Sequence, residues 1–216
     1  MPAFFSEPDL AVVAAAIDRL VPGAAAAGVA GYVDTLLGAF SFDPPRIWAG
    51  GPFSGRHGGE PGFERWTPLT RIDDLAWRTR IEGSLGRPER EWNGPVVGLQ
   101  EQYRDGLAAL GADFAAVGPD EQDTRLDGVP GFKRLLYEHA CQGMYGDPVY
   151  GGNRDLAGWQ AIDWVGDIQP RGYTDAEVTQ REKTPIPAPA PGSVGNMPPI
   201  ASQTAHRTGG DEGGRG

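Results

Sequence analysis

Residues 130–159 read PGFKRLLYEHACQGMYGDPVYGGNRDLAGW, and they combine a helical pattern with a segment rich in turn-forming residues. In the first half, apolar side chains recur at the spacing of one helix face, which predicts a helix from Pro130 to Tyr145. The second half contains two turn signals, Asp147-Pro148 and Gly151-Gly152-Asn153. Because glycine and asparagine adopt positive φ at little steric cost, residues 145–159 are predicted to form a shaped loop.

The same helical spacing recurs along most of the chain. The most regular amphipathic stripe begins at Pro95 and ends at Phe114. Five further helices are predicted in residues 6–20, 24–40, 67–81, 120–126 and 155–163. Strand signals are almost absent, so we expect an all-α fold: a single irregular helical domain, with long loops rich in glycine, proline and aromatic residues packed over it.

The C-terminal part of the chain has a different composition. Four prolines alternate with Ile186, Ala188 and Ala190 between positions 185 and 191, and glycine is concentrated at the end of the chain. Such a segment cannot build a core, so we expect a helical domain of residues 1–183 followed by an extended tail of residues 184–216. At ~3.1 Å per residue where it is extended, this tail could lie along a partner chain.

Charge and cysteine content exclude several classes of function. The 216-residue chain has 29 acidic and 19 basic residues, a formal net charge of -10. Because nucleic-acid-binding proteins concentrate Lys and Arg to neutralise phosphates, we expect no nucleic acid as a partner. The single cysteine, Cys141, excludes an intrachain disulfide, a cysteine-ligated iron–sulfur cluster and a C-x-x-C-H haem attachment. We therefore expect any electron-transfer centre on a partner. Because Gly151-Gly152-Asn153-Arg154 lacks the G-x-G-x-x-G spacing and the histidines lack the spacing of a zinc motif, we expect neither a cofactor nor a metal in this chain.

Residues 41–67 form the first candidate contact surface. They are rich in glycine, proline and aromatic residues, and they show neither helical nor strand periodicity. A long segment of this kind inside a compact domain tends to be functional or to cover a surface, so we expect an ordered loop. Its candidate partner contacts are Trp48, Phe53, Phe63 and Trp66.

The turn-rich loop after the helix supplies the second set of candidates. Asp147 and Asn153 are expected to brace its turns, and Tyr145 and Tyr150 are large, stiff side chains of the kind that anchor interfaces. We therefore regard Tyr145, Asp147, Tyr150 and Asn153 as candidate partner contacts. For Tyr150 and Asn153 a place in the chain's own core is an equally favoured alternative, whereas Trp159 is expected in the core.

Glu138 and His139 invite an acid–base interpretation, because here a histidine adjoins an acid within a predicted helix. Adjacent residues on a helix point about 100° apart, however, so their side chains do not converge on one ligand. We therefore favour a structural or interface role for His139. A free-standing helical enzyme that uses Glu138 and His139 stays open as the alternative.

The helix Leu136–Met144 and the loop that follows it resemble the small (gamma) subunit of the gluconate 2-dehydrogenase type, often called the subunit 3 family. Further residues that carry the resemblance are Ile17–Gly23, Gly28-Val29 leading into Tyr32–Asp34, and Trp77-Arg78. The resemblance covers most of residues 5–170 and leaves the C-terminal tail unmatched.

This resemblance implies a non-catalytic accessory subunit. Family members accompany a large flavoprotein of the glucose-methanol-choline oxidoreductase type, which oxidises sugars, sugar acids or polyols. The implied FAD therefore belongs to the partner, and a cytochrome c is a candidate electron acceptor. The chain would bind and stabilise or mature the large subunit; a transient maturation chaperone is the alternative.

The location of such a complex is left open by the sequence. The longest strongly apolar run, Leu10–Ile17, is far shorter than the ~20 residues that span a bilayer, so no direct membrane span is expected. Many family members carry a twin-arginine export signal, which residues 1–7 lack. We therefore expect a cytoplasmic complex by default, or export through a signal on a partner or one that was removed.

Overall fold

The computed structural model describes residues 2–47 and 69–164. Within these residues the chain is helical and contains no strand, which confirms the predicted all-α class. The α-helices are α1 (Glu7–Leu20), α2 (Val29–Leu37), α3 (Arg71–Glu82), α4 (Leu99–Leu110), α5 (Pro119–Asp127), α6 (Pro130–Tyr145) and α7 (Ala157–Ala161). Trp48, Phe53, Phe63 and Trp66, and with them the tail of residues 184–216, lie outside the described residues.

Two helices begin with reciprocal capping hydrogen bonds. At the start of α1 the Ser6 hydroxyl accepts from the backbone N–H of Asp9, and the Asp9 carboxylate accepts from the backbone N–H of Ser6. Thr70 and Asp73 make the same pair of bonds at α3. Because the Thr70 side chain satisfies one of the first free amides of the helix, α3 begins at Arg71 and not at the predicted Thr67.

Helix α4 is shorter than the predicted helix of residues 95–114. Before Leu99 the backbone groups of Val96 are hydrogen-bonded to Ser84 and not within a helix. The Val96 carbonyl accepts from the Ser84 N–H, and the Val96 N–H donates to the Ser84 hydroxyl, both at 3.0 Å. At the other end Gly111 has a φ of 91°, which ends the helix. Phe114 then lies in a short 3-10 helix and is still fully buried.

Helix α2 is also shorter than predicted, since residues 22–28 form turns and the helix begins at Val29 instead of Ala24. In contrast, both ends of α1, α5 and α6 lie within about one residue of their predicted positions. Helix α7 is a short version of the helix expected in residues 155–163.

The core is built around two central helices. Helix α1 packs against α2, α4, α5 and α6, and helix α6 also contacts α2, α4, α5 and α7. Val13, Ala16 and Ile17 on α1 are completely buried, as are Leu136 and Ala140 on α6. Burial of these apolar faces provides the main favourable free energy of folding.

The N-terminal segment is fastened to α2 by one buried carboxylate. Asp34 accepts hydrogen bonds from the backbone N–H groups of Ala3, Phe4 and Phe5 at 2.5, 3.0 and 2.8 Å. These bonds compensate for the burial of the charge and bring the Phe5 ring into the core. No helix in the described part of the chain is long and apolar enough to cross a membrane.

Candidate functional site

The loop of residues 146–158 folds back onto the C-terminal end of α6. Asn153 holds this arrangement: its side-chain N–H donates to the carbonyl of Gly146, and its side-chain oxygen accepts from the N–H of Gly158, both at 2.9 Å. Asn153 has positive φ and is fully buried. Of the two roles open for Asn153, the structure therefore supports bracing the core and not direct contact with a partner.

Two glycines permit the close contact between this loop and α6. A Cβ atom at Gly152 would overlap the carbonyl oxygen of Gly143, and one at Gly158 would overlap the carbonyl oxygen of Met144. The indole N–H of Trp159 completes the closure by donating to the carbonyl of Tyr145 at 2.8 Å. Trp159 is 1% exposed, which confirms its predicted place in the core.

The remaining candidate residues of the loop lie nearer the surface. The Asp147 carboxylate accepts from the N–H of Val149 at 2.9 Å and caps the short 3-10 helix Pro148–Tyr150. The Tyr145 carbonyl accepts a hydrogen bond from the buried Trp159 indole, whereas the Tyr145 side chain is exposed. Tyr150 is half-buried. Tyr145 and Tyr150 therefore remain accessible to a partner.

The loop also contacts the turn that precedes α2. The backbone N–H of Arg154 donates to the carbonyl of Ala27 at 2.9 Å. Between α2 and α6, the Tyr32 hydroxyl donates to the side-chain oxygen of Gln142 at 3.0 Å. The separate sequence segments that contain Gly28, Tyr32 and Gln142 thus meet at one side of the molecule.

An open hollow of about 90 Å³ lies at this meeting point, and we call it the arginine hollow. Its principal lining residues are Tyr32, Arg46, Trp77, Arg80, Gln142 and Tyr150. Burial raises the pKa of Tyr32 to about 12 and also raises that of Tyr150, so both phenols are uncharged at neutral pH. The Arg80 guanidinium lies 5.7 Å from the centre of the Trp77 ring. The hollow therefore combines aromatic walls with two guanidinium groups.

His139 lies in the core and not at a surface site. Its Nδ1 is 2.8 Å from the Tyr103 hydroxyl, and the two rings are stacked with centroids 5.7 Å apart. Burial, assisted by the positive charge of Arg80, lowers the pKa of His139 to about 4 although Glu138 opposes this effect, and burial raises the pKa of Tyr103. Both side chains are therefore neutral at pH 7, and the phenol can donate to Nδ1.

Glu138 points away from this buried pair. Its carboxylate forms a surface ion pair with Arg134 at 2.9 Å. The side chains of Glu138 and His139 consequently lie on different sides of α6 and do not form an acid–base pair, as their adjacency on a helix predicted. Within residues 2–47 and 69–164, no three His, Cys, Asp or Glu side chains are grouped so that they could hold a metal ion.

A second surface feature was missed by the reasoning from sequence. The loop between α3 and α4, residues 84–97, which we call the display loop, exposes 92% of Trp92, 62% of Leu85 and 56% of Val97. Trp92 is followed by Asn93-Gly94-Pro95, so a tryptophan beside a turn signal was the available clue. A tryptophan this exposed is a candidate contact for a partner, because tryptophan is enriched at the energetic centres of interfaces.

The display loop is held by buried polar contacts at its base. The Arg90 side chain is 2% exposed, donates to the Gly83 carbonyl at 3.0 Å and pairs with the Glu82 carboxylate at 2.9 Å. The Ser84 hydroxyl donates to the Glu91 carboxylate at 2.9 Å. The loop is therefore braced from inside while Trp92 points outward.

Comparison with known protein families identifies a match that covers most of the chain. The family model described as Gluconate 2-dehydrogenase subunit 3 matches residues 7–166, which include every helix described above. Among curated proteins and among solved structures, none matches the chain significantly.

Proposed function

Since the chain belongs to the gluconate 2-dehydrogenase subunit 3 family, we propose that it is a non-catalytic accessory subunit of a flavin-dependent dehydrogenase. Membership of a subunit family implies a complex with other dehydrogenase subunits. The partner that we propose is a large flavoprotein of the glucose-methanol-choline oxidoreductase type, acting on sugars, sugar acids or polyols. FAD would be bound by that partner, and a cytochrome c could accept the electrons.

The exposed Trp92 is the observation that carries this proposal. Tryptophan is one of the residues most enriched at the energetic centres of protein interfaces. On an isolated monomer a side chain that is 92% exposed gains nothing from burial, whereas coverage by a partner would remove a large apolar surface from water. Leu85 and Val97 are two further exposed apolar side chains of the same loop.

The rigid base of the display loop supports the same interpretation. The contacts of Arg90 with Glu82 and with the Gly83 carbonyl restrict the loop before any partner binds. A preorganised contact residue loses less conformational entropy on association than a mobile one. The loop thus has the properties of a recognition element and not of a simple connector.

The physical contribution of this chain would be stabilisation of the large subunit by mass action. A protein that binds only the folded form of its partner raises the partner's apparent stability by an amount that grows with its own concentration. We therefore expect the melting temperature of the large subunit to rise when this chain is added in excess.

The experiment is isolation of the chain at its native abundance, followed by measurement of complex mass, subunit identity and flavin absorbance. We expect a stoichiometric complex with a large flavoprotein. Trp92→Ala should weaken this complex by roughly 30-fold or more, as for an interface hot spot. Ile72→Ala is the matched control, because Ile72 is also largely exposed but lies at the opposite end of α3. A lone chain without flavin would overturn the proposal.

A further inference from the structure

We propose that the arginine hollow binds a single carboxylate group of the large subunit, with Arg80 as the main contact. This inference rests on the proposed function, because it names the chemistry by which the same partner is recognised. It concerns a surface other than the display loop, so it can fail while the complex itself is confirmed.

Two arginines line the hollow although the chain as a whole is acidic. The protein has a net charge of -10, yet Arg46 and Arg80 both line this small concave surface. On the same helix Arg78 is already paired with Asp74 and Glu82, at 3.0 Å in each case. Arg80 has no carboxylate partner within residues 2–47 and 69–164, so it remains available for an acidic group from outside.

The walls of the hollow would strengthen such a contact. Trp77 lies beside the Arg80 guanidinium, and the phenols of Tyr32 and Tyr150 are uncharged. Apolar walls exclude part of the solvent, and a charge pair attracts more strongly where the effective dielectric constant is lower. Arginine also suits this role because its planar guanidinium can bind a carboxylate through two parallel hydrogen bonds.

The size of the hollow favours a single side chain. Its volume of about 90 Å³ is well below the ~300–1,000 Å³ of pockets that bind small molecules or cofactors. An aspartate or glutamate side chain, or a C-terminal carboxylate, needs far less room than a small molecule or a cofactor. The hollow also lies next to the exposed side of the 146–158 loop, since Tyr150 belongs to both.

The test uses the complete complex and a reagent specific for carboxylates. In the Arg80→Lys variant, a water-soluble carbodiimide can join the introduced amine directly to a carboxylate in contact with it, and mass spectrometry then identifies the joined peptides. We expect a cross-link between position 80 and an acidic residue or the C-terminus of the large subunit. The control is Arg104→Lys, because Arg104 lies outside the hollow, over the ring of Phe4; it should give no such cross-link.

A binding measurement provides the second readout. Arg80→Gln should weaken the complex roughly 10- to 100-fold, the range of a charge-assisted hydrogen bond, and should make binding less dependent on salt. Arg104→Gln should change neither property. Cross-links from position 80 only to acids of this chain, or unchanged affinity of Arg80→Gln in an intact complex, would overturn this inference alone. Failure of the unmodified chain to bind a large flavoprotein would overturn the proposed function as well.

Discussion

Trp159 donates its indole N–H to the carbonyl oxygen of Tyr145, the last residue of α6, at 2.8 Å. The last carbonyl groups of a helix lack partners within the helix, so they must be satisfied by other groups or by water. Here Trp159 and the loop that precedes it supply partners, because Asn153 also donates to the carbonyl of Gly146, the C-cap residue of α6. The glycine-rich segment is therefore a cap that closes α6.

The first prediction concerns Asn153. Asn153→Ala removes a donor to Gly146 and an acceptor for Gly158, and it places alanine at a φ of 49°. Two lost buried hydrogen bonds and the backbone strain should together lower the free energy of unfolding by about 3–4 kcal/mol. Urea unfolding of the purified chain measures this value.

Asn153→Gly separates the two causes. Glycine adopts positive φ without strain but cannot make the two hydrogen bonds, so it should cost about 1 kcal/mol less than alanine. Equal losses for the two variants would show that the strain of alanine at this position is no larger than the unfolded-state entropy that glycine adds, about 0.4–1 kcal/mol. A loss below about 1 kcal/mol in both would contradict the bracing role.

A second prediction concerns the contact between the loop and α6. In Gly158→Ala the added methyl group would overlap the carbonyl oxygen of Met144, so the loop must move away from α6. We expect a loss of about 2–3 kcal/mol, which a thermal melt would reveal. Gly31→Ala in α2 is the matched control, since no atom lies within 4 Å of its added methyl group. This control should be neutral or stabilise by about 0.5–1 kcal/mol, because alanine favours a helix.

Much of the helical architecture is predictable because its signals are local. The Ser6–Asp9 cap and the proline at the start of α6 each act within one helical turn, and the sequence places these starts correctly. The predicted start of α4 is wrong because Val96 is paired with Ser84, a residue 12 positions away. A periodic pattern cannot report a hydrogen bond between segments that only the fold brings together.

In the candidate site too, local turns are predictable from the sequence, whereas contacts between distant residues are not. Turn chemistry around Asp147 and Asn153 predicts a shaped loop, and the capping bond of Asp147 agrees with that expectation. Whether Asn153 faces the core depends on its contacts with Gly146 and Gly158, which the sequence does not reveal. The display loop escaped notice because its rigidity comes from the burial of Arg90, a residue type that is ordinarily exposed.

A third prediction is a specific dependence of stability on pH. His139 has a pKa of about 4 in the folded chain, compared with 6.5 when unperturbed. Between these values the unfolded chain binds a proton that the folded chain does not. The contribution of His139 to the free energy of unfolding is therefore fully present above pH 6.5 and falls as the pH drops toward 4. The loss should reach about 3 kcal/mol at pH 4.

The contribution of His139 can be isolated by comparison with His139→Gln. Glutamine cannot titrate but offers polar atoms to Tyr103, so its stability should fall less over the same pH range. Chemical unfolding at a series of pH values gives the difference between the two proteins. If both lose stability equally between pH 6.5 and 4, His139 does not become protonated on unfolding as proposed.

A fourth prediction concerns the attachment of the N-terminal segment. Asp34→Ala removes the acceptor of three backbone N–H groups, those of Ala3, Phe4 and Phe5. Residues 3–5 should then detach from α2, which would expose their amides to rapid hydrogen exchange and lower stability by about 2–4 kcal/mol. Asp9→Ala, which removes only the exposed hydrogen bonds that the Asp9 carboxylate accepts from Ser6 at the start of α1, should cost about 1 kcal/mol and leave residues 3–5 attached.

The last prediction links the buried base of the display loop to recognition. Arg90→Met removes the bonds to Glu82 and to the Gly83 carbonyl but retains much of the side chain's apolar volume. Removing one member of a buried ion pair typically costs about 3–5 kcal/mol, which is less than the ~5–15 kcal/mol stability of most domains, and Glu82 keeps its pair with Arg78, so the chain should stay folded. The loop should nevertheless become mobile, so binding to the large subunit should weaken because Trp92 is no longer held in place.

A double-mutant cycle tests this link directly. If Arg90 acts through the position of Trp92, then Trp92→Ala should weaken the complex less in the Arg90→Met background than in the unmodified chain. Arg87→Met is the control, because Arg87 is exposed in the same loop and makes no side-chain bond within residues 2–47 and 69–164. Strictly additive losses for Arg90→Met and Trp92→Ala would mean that the two residues act independently, and the braced loop would then have no role in recognition.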